Sequence, residues 1–90
     1  MNIWKYNLAA RDMSGGAIEM PRGARILDVQ MQAGYMHAWA MVDRQAPIVH
    51  RRFGVYGTGH DIPDSPGDYI ATVQDGSFVW HVFDLGEEEL

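Results

Sequence analysis

The stretch Tyr69-Ile70-Ala71-Thr72-Val73-Gln74-Asp75-Gly76-Ser77-Phe78-Val79-Trp80-His81-Val82-Phe83 decides the fold. Two runs rich in β-branched and aromatic residues, 69–74 and 78–83, flank Asp75-Gly76, a dipeptide suited to a tight hairpin turn. Side chains alternate along a strand. Phe78, Trp80 and Val82 therefore face one way, and Val79, His81 and Phe83 the other. A period of two, with no helical period competing, predicts an antiparallel pair.

The same signal extends upstream. In 26–32, Leu27, Val29 and Met31 alternate with Asp28, Gln30 and Gln32, the pattern of a half-buried strand. The run 35–43 is apolar on both faces, which predicts a central strand covered on both sides, with Trp39 and Trp80 in the core. Ala33-Gly34 between these two strands fits a hairpin, because glycine takes positive φ without a clash. The run 48–56 places Val49, Arg51, Phe53 and Val55 on one face, and Ile48, His50, Arg52 and Tyr56 on the other. Two shorter pieces, 3–7 and 17–20, complete the set. Leu8–Met13 is long enough for one helical turn before Ser14-Gly15-Gly16 stops it. The segment 57–68 holds two of the four prolines and reads as a structured loop. The expected fold is all-β: a small antiparallel barrel or sandwich of six or seven short strands, with at most one short helical turn.

Ninety residues make a single domain, taken as 1–84 with an acidic tail over 85–90. Seven basic residues face twelve acidic ones, and Asp84, Glu87, Glu88 and Glu89 crowd the last seven positions. Such a run is expected to be solvated and frayed. The rest is near neutral and holds one lysine, Lys5, so nucleic acid is a disfavoured partner. There is no cysteine for a disulfide or a thiolate. No signal peptide or membrane-spanning run is visible, which predicts a cytoplasmic protein.

Four groups could carry chemistry. In Gly57-Thr58-Gly59-His60 the glycines let backbone N–H groups approach an anion, and Thr58 and His60 add donors. Arg51 and Arg52 lie on the strand leading in, so one of them is expected to reach a phosphate held by the loop. The same four residues also suit an ordinary turn, and no helix follows to make a phosphate-binding fingerprint. His37, His50, His60 and His81 lack metal-ligand spacing, so no metal is expected. Asp64-Ser65-Pro66-Gly67 has the chemistry of a turn, and with Asp61 and Asp68 it does not match a calcium loop. Trp4 and Tyr35 are candidate interface anchors. No serine sits in a nucleophile elbow.

Several segments carry a resemblance: Ile3-Trp4-Lys5-Tyr6, Glu19-Met20-Pro21-Arg22-Gly23-Ala24-Arg25-Ile26-Leu27, Trp39-Ala40-Met41-Val42-Asp43, Tyr56-Gly57-Thr58-Gly59-His60 and His81-Val82-Phe83. Over nearly the whole chain they resemble a family of small uncharacterised bacteriophage and prophage proteins. Asp61 departs from the proline that the resemblance leads one to expect. The resemblance implies a phage or prophage accessory protein acting in the host cytoplasm, and it lends no catalytic residues.

The resulting expectation is a non-enzymatic binding protein without a cofactor. It would antagonise host defence by binding a host protein or sequestering a small anionic or nucleotide ligand, and it would form a homo-oligomer. A structural component of the phage particle is the alternative. A small enzyme using His60 as acid or base, oriented by Asp61 or Asp64, is a second alternative.

Overall fold

The last hairpin turns on Gly76-Ser77, one residue later than Asp75-Gly76. Asp75 pairs with Phe78, and Gly76 alone of the two central residues takes positive φ, at 60°. That is the type II′ pattern, which matches strand twist as well as type I′ does. At the other clear hairpin Gln32 pairs with Tyr35. Ala33 and Gly34 both take positive φ, 54° and 84°, the type I′ pattern.

The computed structural model describes residues 1–10 and 16–89. The strands are β1 (Asn2–Asn7), β2 (Ala17–Pro21), β3 (Arg25–Gln32), β4 (Tyr35–Val42), β5 (Ile48–Gly57), β6 (Asp68–Asp75) and β7 (Phe78–Glu88). A 3-10 turn, Leu8–Ala10, follows β1; the expected helical turn extends to Met13, and 11–13 lie outside the described residues. All pairings are antiparallel. One sheet has the order β1-β4-β3 and the other β2-β5-β7-β6. The fold is an all-β sandwich, open rather than a closed barrel. β3 packs along β6 on one side, while β1 and β2 flank a groove on the other.

The core lies between the sheets. Val29, Ala38, Ala40 and Val42 from the smaller sheet meet Phe53, Val73 and Val82 from the larger, with Leu8 and Met20 closing the layer. Burying a valine such as Val82 stabilises by about 1.5–3 kcal/mol, so this short inventory carries much of the fold. The alanines of β4 let the sheets approach closely.

Three expectations need correction. β4 is central in its sheet, but only its Ala38-Ala40-Val42 face meets a second layer, and Trp39 is half-buried on the outer face. A bulge between Ile26 and Asp28 turns Ile26 toward the core and leaves Leu27 40% exposed. The acidic run is not a frayed tail. β7 continues to Glu88 and pairs with β5 as far as His50↔Glu88.

Candidate functional site

Arg51 lies on the inner face of β5 and is 7% exposed. Its guanidinium donates to Asp84 and Glu87, each at 2.7 Å, and to the Ala24 carbonyl oxygen. Asp84 and Glu87 would face opposite ways on a regular strand. The register slips where Arg52 pairs with Gly86 and Phe53 with Asp84, leaving Leu85 as the extra residue. Gly86 takes φ of 93°, and its N–H donates to the Asp84 carboxylate at 2.8 Å. The bulge brings both carboxylates to one cation. Arg52 is in ion-pair contact with Glu88 at 2.9 Å, and Arg22 bonds Glu89.

The expected anion site is therefore divided. Arg51 pairs with Glu87 and Gly57 with Trp80, so six residues of β5, about 20 Å, separate the arginines from the loop. The anions that Arg51 and Arg52 meet are the chain's own. Trp4 pairs across from Ala40 and Tyr35 from Gln32, which places these two candidates toward opposite ends of the smaller sheet. They are 39% and 56% exposed.

The loop itself does form a cleft. The Thr58 N–H donates to the Val79 carbonyl at 3.2 Å, and the His60 N–H closes a turn on the Gly57 carbonyl at 3.1 Å. Gly59 supplies the positive φ, 87°, that the turn requires. The His60 ring folds back over Gly57: a Cβ there would stand 2.8 Å from Cε1 and Nδ1 of the imidazole. Gly57, Thr58 and His60 form one wall, and Ser77 to Trp80 the other, of a cleft of about 380 Å³. Phe78 and Trp80 stack within it, centroids 5.9 Å apart at 19°. The predicted core residue Trp80 is half-buried and divides two spaces. Beyond it lies an apolar pocket of about 220 Å³ lined by Leu8, Ala9, Met36 and Val55.

Thr58 also reaches the outer face of β7. Its Oγ1 is 2.8 Å from Nε2 of His81. Nδ1 of His81 is 3.2 Å from Thr72 Oγ1, which is 2.6 Å from the Tyr69 hydroxyl. Beside this chain, Phe83 makes edge contacts with Tyr56 and Tyr69, at 5.9 and 5.7 Å. In the sequence His81 stands out only as one of four histidines without metal-ligand spacing. The hairpin held the signal: counting back from Gly76-Ser77 pairs Thr72 with His81.

The other histidines stand apart. His37 Nδ1 is 2.9 Å from the Tyr35 carbonyl oxygen, and His50 is 3.8 Å from Glu19. Among the described residues no cluster could hold a metal ion. Asp61 and Asp64 are exposed, on the loop that continues from His60. No helix among the described residues is long and apolar enough to cross a membrane.

A family model described as "Domain of unknown function (DUF7352)" matches residues 1–90. No curated protein and no solved structure matches the chain.

Proposed function

The chain belongs to that DUF7352 family, whose description assigns no activity, and from this premise we propose a non-enzymatic protein that binds a small anionic ligand of the nucleotide class. The ligand would sit in the cleft beside Trp80. One observation supports this above others: Thr58, His60 and Ser77, residues with hydroxyl and imidazole groups, line the same cleft as the stacked Phe78–Trp80 pair. Donors suit a phosphate, and Phe78, 62% exposed, leaves a ring surface on which a base can stack. Ligand sites form in the mouths of β-barrels, and the end of this sandwich offers a comparable concavity. Arg51 and Arg52 have no part in it. With the phage or prophage origin that the sequence resemblance implies, sequestering a nucleotide in the host cytoplasm would serve counter-defence.

The test is a titration of the protein with cyclic AMP, followed by Trp fluorescence and calorimetry. We expect saturable binding that weakens about tenfold or more in His60→Ala, with the nucleotide recovered intact. Absence of saturable binding across the common cyclic and linear nucleotides would sink the proposal, and turnover of the nucleotide would remove its non-enzymatic part.

A second reading rests on the other sheet. Ile3, Trp39 and Met41 share the outer face of β1-β4-β3, which no layer of the described residues covers, and Ile3 is 60% exposed. These three apolar groups, set on a face they share with Lys5, Arg25, Asp28 and Gln30, suit a protein contact, with a host protein, a further copy of the chain or a particle component. Sedimentation velocity of the wild type and of Trp39→Lys distinguishes self-association from a monomer.

A further inference from the structure

We infer that His81 determines which ligands the cleft accepts, acting through Thr58; the inference rests on the nucleotide reading above. Four groups form one hydrogen-bonded chain across three elements: Tyr69 and Thr72 on β6, His81 on β7, and Thr58 after β5. A hydroxyl both donates and accepts, and a neutral imidazole donates from one nitrogen and accepts at the other. The chain therefore has two self-consistent directions. In one, the Thr58 hydroxyl donates to Nε2, Nδ1–H donates to Thr72, and Thr72 donates to Tyr69. Thr58 then offers the cleft only lone pairs. In the other, Tyr69 donates to Thr72, Thr72 to Nδ1, and Nε2–H to Thr58. The Thr58 hydroxyl proton is then free for a ligand.

An anion requires the second direction. Binding one in the cleft selects the Nε2–H form of His81 on the far side of Thr58. Protonating His81 favours that state, because Nε2 then donates and the Thr58 proton is released. The groups beside His81 do not compete for this role. Its register partners are Tyr56 on β5 and Thr72 on β6, and its same-face neighbours are Val79 and Phe83 on β7. Gly54 and Thr58 flank Tyr56, while Gln74 and Tyr69 flank Thr72, so no carboxylate, lysine or arginine occupies a neighbouring position on this face. The titratable neighbours on this face are the two tyrosines. His60, on the loop that carries Thr58, is turned over Gly57.

Nitrogen NMR of the histidine rings, with the whole chain and cyclic AMP as probe, tests this. Cyclic AMP is a phosphodiester whose charge stays constant from about pH 5 to about pH 8, the range in which histidine titrates. In the ligand-free protein, Thr58→Val should move the His81 Nε2 resonance; an unmoved resonance overturns the relay without reference to any ligand. In a His60→Gln background, which removes the cleft imidazole, cyclic AMP should bind about tenfold tighter at the acid end. The bound form should carry a proton at Nε2, and His81→Phe should flatten the pH dependence. An unchanged pH dependence in His81→Phe, or a bound neutral form lacking the Nε2 proton, overturns the relay and leaves the binding reading standing. Cyclic AMP that fails to bind the wild type at any pH removes both.

Discussion

Arg51 and Asp84 lie 33 residues apart in sequence and meet as an ion pair at 2.7 Å inside the sandwich. Glu87 completes the contact, and the three side chains are 9%, 17% and 27% exposed. Breaking such a group leaves an uncompensated charge in a poorly hydrated place. Arg51→Ala should cost about 3–5 kcal/mol, and Glu87→Gln less, because Asp84 remains. Urea midpoints at constant slope measure both. An Arg51→Ala protein as stable as the wild type would show that the pair contributes nothing.

Ala33 holds φ of 54°, a conformation that its Cβ disfavours. Ala33→Gly should stabilise the β3–β4 hairpin by about 0.5–1 kcal/mol despite the entropy that glycine adds to the unfolded chain. A thermal melt reads the change; a lower melting temperature would mean that the turn relaxes to another type.

Tyr6 has its hydroxyl buried with no hydrogen-bond partner among the described residues, and burial raises its pKa above the usual 10.0. The folded state therefore prefers the neutral phenol. The associated stability is fully present below the unfolded pKa and is lost as pH climbs through the raised folded value. Tyr6→Phe should remove that alkaline loss and leave neutral-pH stability unchanged or higher by up to about 1 kcal/mol. Urea unfolding at neutral pH and above the tyrosine range checks it.

Gly57 and Gly67 should respond differently to alanine. At Gly57 the new methyl collides with the end of the His60 side chain and touches the Trp80 ring at an ordinary 3.4 Å, so Gly57→Ala should fold normally while swinging that imidazole away and weakening nucleotide binding. At Gly67, φ is 93° and a Cβ would collide with the Asp84 carbonyl oxygen. Gly67→Ala should lose about 2 kcal/mol or more. Comparing melting temperature with affinity for both variants separates site from scaffold.

Local pattern carried most of the fold. Alternation placed 26–32, 48–56, 69–74 and 78–83, apolar residues on both faces placed 35–43, and Ala33-Gly34 marked its turn, because these signals act between neighbours in sequence. The hairpin at Gly76-Ser77 was read one residue early, since Asp75-Gly76 and Gly76-Ser77 both offer a glycine for a primed turn. What escaped depends on residues far apart in the chain. A charge run at 84–89 looks solvated until the bulge at Leu85 and Gly86 aims two of its members at Arg51. The arginines looked available for a ligand for the same reason. Trp39 was assigned to the core because apolar residues on both faces of β4 do not reveal that only one face meets a second layer. The Gly57–His60 loop was legible as a candidate, whereas the Thr58–His81 contact spans 23 residues and needs the β5–β7 register.

The position of β7 has a temporal consequence. It is the interior strand between β5 and β6 in its sheet, yet it follows both along the chain. During synthesis, β5 and β6 wait without the partner they share, and Arg51 waits without its carboxylates. Non-local pairing of this kind is slow, because a long loop must close before any contact stabilises it. β2 can pair with β5 early, but the β5 and β6 edges that β7 joins stay exposed until residues 78–88 arrive.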